Sequence, residues 1–322
     1  VIVYRFELAA GAAQSVALLT ALHGGDPSAD WRDSRSAPNA TVAEHLSQVA
    51  AGWEQTISQA RLSLPPAAAG VQRAFTTAQA HILINRDGPS IQPGSRTYER
   101  SWMRDGALTS TALLMTGHAE AVREFIDWFA AHQYDSGKIP CVVDRRGPDP
   151  VPEHDSHGQF IYAVATYHRF TKDRSFVETQ WPRVVRTVEY IESLRAQRLT
   201  DEYRDGPTEK RACYGLVPES ISHEGYSAKP MHSYWDDFFI LRGLRDATYL
   251  AGVVERPEVA ARFDQLRADF EKSLYASIDL AMKTKAIDYI PGCVELGDFD
   301  ATSTAIALYP CGEQSRLPQA AM

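Results

Sequence analysis

Several features that define large classes of protein are missing from this chain of 322 residues. It has no run of 18 apolar residues, so no membrane-spanning segment is expected. No basic block occurs, and 33 basic against 41 acidic residues leave a net charge of −8, so we expect no nucleic-acid partner. Its four cysteines form no CxxC pair, which argues against a zinc site and favours small buried residues. We predict no metal and no cofactor.

The N-terminal region differs in composition from the rest. β-branched and aromatic residues at 1–9 predict one strand, and residues 24–40, rich in Gly, Asp, Ser, Pro and Asn, predict a linker. Because a single strand needs partners, we expect it to come from an upstream domain. The predicted organisation is strand and linker over residues 1–40 and a helical domain over 41–322. Since the chain begins with Val1, localisation is left open, and so is the oligomeric state.

From residue 42 onward, apolar residues recur at helical spacing, beginning with Val42, Leu46, Val49 and Trp53. Short connections alternate with long ones, as in stacked helical hairpins, which form either a solenoid or a closed ring. We therefore predict an all-α toroid whose long loops share one rim. Its predicted helices lie at about residues 71–84, 104–117, 119–133, 156–171, 174–198, 234–252, 256–276 and 299–309.

The first candidate motif is Trp102-Met103-Arg104-Asp105, where a long loop enters a helix. One interpretation is structural: Asp105 complements the helix dipole and Arg104 is its ion-pair partner. The functional interpretation is that Arg104 and Asp105 hold the hydroxyls of one sugar ring while Trp102 covers its face. Six Trp and fourteen Tyr are compatible with a sugar-binding cleft.

The second motif is the polar stretch 153–159. Ser156 and Gln159 have the spacing of a capping box, which explains part of it by helix initiation alone. His157 forms an H-x-x-H pair that is weak evidence for a metal. We expect Asp155 to accept from a substrate hydroxyl, His157 to lie at the cleft rim, and Glu153 to be solvated.

The third motif, residues 214–243, contains most of the candidate acids. Ser233 and Asp236 also have capping-box spacing, so Asp236 has a structural explanation that Asp237 lacks. An acid after Trp235 at a helix start, in a partly apolar setting, would have the raised pKa of a general acid. Further along, Asp300 is predicted to cap a helix of small residues, which leaves Glu295 and Asp298 as lesser candidates for substrate contact.

Together these motifs resemble the (α/α)6-barrel glycoside hydrolases, the six-hairpin superfamily that includes glucoamylases. Residues 102–105 match its W-x-R-D element, which opens an inner helix and binds the sugar of the cleavage subsite. Residues 155–159 leading to 171–176 and Trp181-Pro182, and then residues 299–303, look like further elements of the family. The resemblance covers about residues 70–310 and implies an (α/α)6 toroid built of hairpins, with a carbohydrate substrate.

The resemblance implies an inverting glycosidase acting on an oligo- or polysaccharide by general acid/base hydrolysis. The family's W-E-E element is absent, so Glu219, Glu224, Asp236 and Asp237 remain joint candidates for the acid, with Trp235 as a substrate contact. About eight helices after residue 70, against twelve in a full barrel, predict a toroid incomplete at the C-terminus and a base beyond Met322. The alternatives are a non-catalytic carbohydrate-binding module or a glycoside phosphorylase, for which no anion site is evident.

Overall fold

This computed structural model describes residues 5–14 and 42–317, and the chain divides into two compact units, residues 1–61 and 62–322. In the first unit, helix α1 (Val42–Ile57) is present as predicted, with Leu46 and Val49 exposed. The strand predicted for residues 1–9 is wrong in its described part, because residues 5–9 form no strand. Residues 1–4 and the predicted linker at 24–40 lie outside the described residues.

The second unit is built mainly of helices, and each predicted helix is found within a few residues of its expected limits except one, which is longer. These helices are α2 (Ala69–Ile84), α3 (Met103–Met115), α4 (Ala119–Ala130), α5 (Asp155–Thr171), α6 (Arg174–Ala196), the short α7 (Asp201–Arg204) and α8 (Thr208–Arg211), α9 (Tyr234–Val253), α10 (Pro257–Lys285) and α11 (Ala301–Leu308). Helix α10 is the longer one, because residues 277–285 continue it where a loop was predicted.

The helices pack in two layers. In one layer α3 packs on α5, α5 on α9 and α9 on α11, so these four helices are successive neighbours. Each of the first three is followed along the chain by a helix that packs on it: α4, α6 and α10. This is the hairpin arrangement expected of an (α/α)6 toroid, and it confirms the predicted fold class.

Burial explains which helices form the inner layer. Residues 155–168 of α5 are all buried, as are fourteen residues of α9, because inner helices are covered on all sides. Helix α4 instead buries one stripe, formed by Val122, Phe125, Ile126 and Phe129 at helical spacing. All four cysteines are buried and free, as predicted.

Short strands brace the loops at one end of the inner helices. Strand β1 (Arg86–Asp87) pairs with β2 (Ser90–Ile91), and β3 (Ser101–Trp102) pairs with β4 (Val142–Asp144), which also pairs with β5 (Gly147–Pro148). The antiparallel β3–β4 register places Trp102 opposite Val142. Since β3 runs directly into α3, this small sheet fixes the position at which α3 begins.

Two glycines allow the closest helix contact. A Cβ atom on Gly158 of α5 would lie 1.9 Å from the carbonyl oxygen of Phe239 on α9, and one on Gly243 would lie 2.5 Å from the Cα of Gly158. The backbones of α5 and α9 can approach this closely only because both positions lack a side chain.

We therefore expect Gly158→Ala to lower the free energy of unfolding by about 3 kcal/mol or more, since the methyl group overpacks against backbone. Gly252→Ala on α9 is the matched control, because its Cβ would meet no atom within 4 Å. This control should change stability by no more than about 1 kcal/mol. Chemical unfolding measures both variants, and equal stabilities would contradict the close contact.

Candidate active site

Three inner helices begin at one place. Arg104 is the second residue of α3, Asp155 the first of α5, and Trp235 and Asp236 the second and third of α9. The N-terminal ends of helices carry a partial positive charge and unpaired backbone N–H groups, which favours carboxylates there. The hairpin fold therefore brings together motifs that are up to about 130 residues apart in the sequence.

One guanidinium joins the carboxylates. Arg104 donates through its Nη1 nitrogen to Glu153 at 2.9 Å and to Asp155 at 3.2 Å. The indole N–H of Trp235 donates to Asp155 at 2.8 Å, and Gln159 Nε2 donates to the same oxygen at 2.9 Å. We call Arg104, Glu153, Asp155 and Asp236 the carboxylate cluster.

Asp236 ties the cluster to the loop before α9. It accepts hydrogen bonds from the hydroxyl of Ser220, from Ser222 Oγ at 3.0 Å and from the backbone N–H of His154 at 3.4 Å. The capping box predicted for Ser233 and Asp236 is therefore wrong, because the carboxylate turns away from its own helix. A capping box at Ser156 is also absent, since Ser156 Oγ donates to the backbone oxygen of Glu153 at 2.8 Å.

The cluster holds more acids than its single cation can neutralise. Burial, together with the charge of Asp155, raises the pKa of Glu153 from its ordinary 4.5 to about 8. The same two causes raise the pKa of Asp236 from 3.8 to about 7. Burial and neighbouring negative charges both disfavour ionisation, so carboxyl groups that lie close together in the interior keep their protons to a higher pH. Near neutral pH the cluster therefore retains protons.

The loop 220–224 contacts the cluster and Trp235. The ring of His223 stacks on Trp235, with ring centroids 4.7 Å apart, and its Nε2 lies 3.5 Å from Asp300 Oδ2. Ser222 and Glu224 both have positive φ values, 52° and 67°, which residues other than glycine rarely adopt. Such backbone strain concentrates at functional sites.

Glu224 is exposed and lies near Asp105. Asp105 is only partly buried, and burial raises its pKa, with the charges of Asp155 and Glu224 adding to the rise. The exposed carboxylate of Glu224, the half-buried one of Asp105 and the partly exposed guanidinium of Arg104 supply donors and acceptors at an accessible surface. The structure thus brings Arg104, Asp105, Asp155 and Trp235 together with Glu224.

Other predicted site residues lie away from this surface. Trp102 is only 6% exposed and packs on Cys141 and Val142, with the Arg100 guanidinium 5.3 Å from its ring centroid. His157 is fully buried and packs edge-on against Tyr190.

Two of the four candidate acids also lie away from this surface. Asp237 is fully buried and accepts from the backbone N–H of Val217 at 3.3 Å. Glu219 is half exposed, with its carboxylate paired to Arg198 and Nε2 of His232 at 3.5 Å from it.

The predicted cap Asp300 and the lesser candidates Glu295 and Asp298 all have structural partners. Asp300 caps α11 as predicted, accepting from the backbone N–H of Thr302 at 2.9 Å. Asp298 accepts from the hydroxyl of Tyr226 at 3.2 Å. Glu295 lies 2.6 Å from Nδ1 of His232. The carboxylates of Glu295 and Asp298 therefore hold loops together.

Among the described residues, one group has metal-ligand geometry: Cys213, His232 and Glu295, whose ligand atoms lie within 4.8 Å of one another. Both nitrogens of His232 are engaged, because Arg198 Nε donates to Nε2 at 2.9 Å and Nδ1 contacts Glu295. If Nδ1 bound a metal, the neutral imidazole would carry its proton on Nε2. That proton would point at the N–H of Arg198, so two donors would face each other. The donor set therefore fits an ion-pair network better than a cation.

Four residues of the site were not predicted from the sequence. Glu153 was expected in solvent and is instead 2% exposed against Arg104. Ser220 and Ser222 were not singled out, and His223 was noted in the third motif without a predicted role, although all three contact the cluster or Trp235. No local signal indicated Glu153, because the arginine that it pairs with lies 49 residues away in the sequence.

The raised pKa of Glu153 predicts a pH-dependent stability difference. A carboxyl group whose pKa rises on folding contributes stability at low pH, which is lost as pH increases from about 4.5 to about 8. We therefore expect wild type to lose stability relative to Glu153→Gln across this range, by up to about 1.4 kcal/mol per pH unit. Urea unfolding at a series of pH values measures this difference. As a control, Glu120→Gln, at an exposed position on α4, should show the same pH dependence of the free energy of unfolding as the wild type. The same pH dependence in Glu153→Gln would contradict the buried cluster.

Comparison with known proteins agrees with this fold. Residues 68–220 match the amylo-alpha-1,6-glucosidase family. Among solved structures, a wild-type glycosidase is 15% identical with a TM-score of 0.56, covering 78% of this chain and 67% of its own. A glycosidase variant is 16% identical with a TM-score of 0.51, covering 66% and 59%. No curated protein matches the sequence significantly.

A third similar structure is the GH63 mannosylglycerate hydrolase from Thermus thermophilus, 14% identical with a TM-score of 0.47 and covering 63% of this chain. The chain spans 64% of that structure's length and 59% of the glycosidase variant's. Among the described helices, none has the length and apolar character needed to cross a bilayer. The matched residues 68–220 and the shared helical fold confirm the resemblance of this chain to six-hairpin glycoside hydrolases.

Proposed function

We propose that this chain acts as a glycoside hydrolase that binds a sugar over the carboxylate cluster and uses Glu224 as the general acid. The observation that carries the proposal is the position of Glu224: an exposed carboxylate on a strained loop, next to His223, which stacks on Trp235, and close enough to Asp105 for its charge to raise the pKa of that carboxyl. The amylo-alpha-1,6-glucosidase match over residues 68–220 supports the reaction class.

The four candidate acids differ in their burial and in the groups they contact. Asp236 and Asp237 are both fully buried; Asp236 accepts from two serine hydroxyls, and Asp237 accepts from the backbone N–H of Val217 through one oxygen. Glu219 is paired to Arg198, which favours its ionised form and opposes a role as a proton donor. Glu224 is exposed, and no ion pair is recorded for it in the described part of the chain. It is therefore the candidate that a substrate can reach.

Arg104 and Asp105 supply the sugar contacts in this proposal. Arg104 is 16% exposed at its side chain, so part of its guanidinium remains accessible while Glu153 and Asp155 hold the rest in place. Donors and acceptors that neighbouring residues already hold in place lose little conformational entropy when they bind a hydroxyl group. Asp155 would then act mainly by orienting Arg104 and Trp235.

Asp236 is a positioning residue in this scheme. Through Ser220 and Ser222 it holds the loop whose next two residues are His223 and Glu224. Backbone strain at Ser222 and Glu224 persists only when the surroundings determine the conformation, and these hydrogen bonds provide that constraint.

The reaction proposed is inverting. Glu224 would protonate the leaving oxygen while a second carboxylate, about 6.5–9.5 Å away, activates water on the opposite face of the sugar. The location of that base beyond Met322 stays a prediction. Since the matching family is described as an amylo-alpha-1,6-glucosidase, we propose an α-linked glucose at the chain end as the substrate group.

We expect Glu224→Gln to lower kcat for an α-1,6-linked gluco-oligosaccharide by about 10² to 10⁴, because the leaving group loses its proton donor. Thermal stability should be retained, since the side chain is exposed. Reducing-sugar release measures the rate. Glu258→Gln, an exposed glutamate at the start of α10, is the control and should keep wild-type activity.

A second substrate separates loss of acid catalysis from loss of binding. An aryl glucoside with an acidic phenol needs little protonation of its leaving group, so Glu224→Gln should retain most activity toward it. Wild-type rates for Glu224→Gln on both substrates would rule out Glu224 as the acid. Sugar binding by the wild type without hydrolysis of either substrate would instead support the alternative of a carbohydrate-binding module.

A further inference from the structure

A cavity of about 620 Å³ lies beside the small sheet, outside the carboxylate cluster. This volume is within the range of small-molecule sites, about 300–1,000 Å³. Its walls come from the β1–β2 hairpin, the loop before β3, the β4–β5 hairpin and the end of α4. The lining residues include Glu99, Arg100, Trp128, Asp144, Arg145 and Arg146.

One wall of the cavity is aromatic. Trp128 is partly exposed on α4, and its ring packs edge-on against Phe129 and His132, with centroids 5.8 and 5.2 Å away. These contacts hold the ring in place without covering it completely. A fixed, partly exposed indole is a platform for the apolar face of a ligand.

The opposite wall is polar and rigid. Asp144 accepts from Arg100 Nε at 2.7 Å and from the Arg146 backbone N–H at 2.8 Å, and Arg146 Nη2 donates to it at 2.6 Å. Arg100 also reaches Asp149 at 3.2 Å. Hydrogen bonds from Arg146, and then from Arg100, hold the pKa of Asp144 well below its usual range.

The remaining charges of the cavity balance. No ion pair is recorded in the described residues for Arg96 and Arg145, or for Asp87 and Glu99. Two cations and two carboxylates therefore remain for a ligand. A net positive wall would favour an anion, whereas interleaved donors and acceptors beside an indole favour a neutral molecule with many hydroxyl groups.

Trp102 connects this cavity to the carboxylate cluster. Arg100 lines the cavity and lies over the Trp102 ring, whereas Arg104, four residues later, belongs to the cluster. Four residues of extended chain span at most about 14 Å. The backbone positions of Arg100 and Arg104 therefore lie within that distance, with the buried Trp102 between them in the chain.

We propose that this cavity is a second carbohydrate-binding site, which holds a neutral oligosaccharide against Trp128 and the Arg145 and Glu99 side chains. The proposal goes beyond the proposed hydrolysis and rests on it only for the choice of sugars as ligands. A second site next to the first would hold a polymeric substrate near the reacting end, since linked sites raise the effective concentration of the ligand.

Fluorine NMR of protein labelled with 5-fluorotryptophan tests the two sites separately. The chain has six tryptophans, and Phe substitutions assign the signals of Trp128, Trp235 and Trp181. The titration uses Glu224→Gln so that no probe is consumed, with maltotriose, cellotriose and α-1,6-mannotriose as neutral probes and glucuronate and inorganic phosphate as anions. We expect a neutral trisaccharide to shift the Trp128 signal, whereas Trp181, packed on Phe263, stays unchanged.

A second measurement uses the exposed arginine. Arg145→Ala should weaken the affinity read from the Trp128 signal about tenfold, the effect of losing a hydrogen bond to a charged group. Arg211→Ala, an exposed arginine on α8 outside the cavity, should leave this affinity unchanged. Because both changes are at exposed positions, folding is not expected to limit the comparison.

The outcomes are distinct. Movement of Trp235 alone would show sugar at the carboxylate cluster and overturn the cavity proposal. Movement of Trp128 with glucuronate or phosphate only, or with no probe at all, would also overturn it. Movement of Trp128, together with a wild-type protein that hydrolyses none of the sugars, would support the second site while contradicting the proposed function.

Discussion

The ion-pair network around Arg104 is the interaction on which the site depends. Three inner helices start beside it, and its guanidinium is the cation that Glu153 and Asp155 share. Removing it would leave these buried carboxylates without a cation, and breaking a buried ion pair typically costs about 3–5 kcal/mol. The same contacts leave part of the guanidinium exposed in a fixed orientation. Stability and the proposed sugar recognition therefore depend on one side chain.

The network exists because the helices that carry it can approach closely. Gly158 and Gly243 remove the side chains that would separate α5 from α9, and the helix starts above them then lie within hydrogen-bonding distance. The 2.8 Å bond from Trp235 to Asp155 joins those two helices. Small residues in the middle of the helix pair thus permit the polar contacts at its end.

The loops above the network differ in how they are held. Asp236 fixes the loop carrying Glu224 through two serine hydroxyls. The β3–β4–β5 sheet fixes the loops around the cavity beside Trp128. Both devices attach long connections to rigid elements, which is where binding groups are usually placed. One inner rim accordingly carries two surfaces with different chemistry, a strongly acidic one and a charge-balanced one beside an indole.

Periodicity and helix signals in the sequence were enough to predict the helices and the hairpin arrangement, because these depend on local patterns. The sequence could not show that Glu153 is buried or that Asp236 turns from its own helix toward Ser220 and Ser222, since both depend on neighbours distant along the chain. Trp102 and His157 were expected at the surface and are packed inside. Local sequence determined which segments are helical and which carry charge, whereas only tertiary packing decided which carboxylates lose contact with water, because burial is a property of the assembled layers.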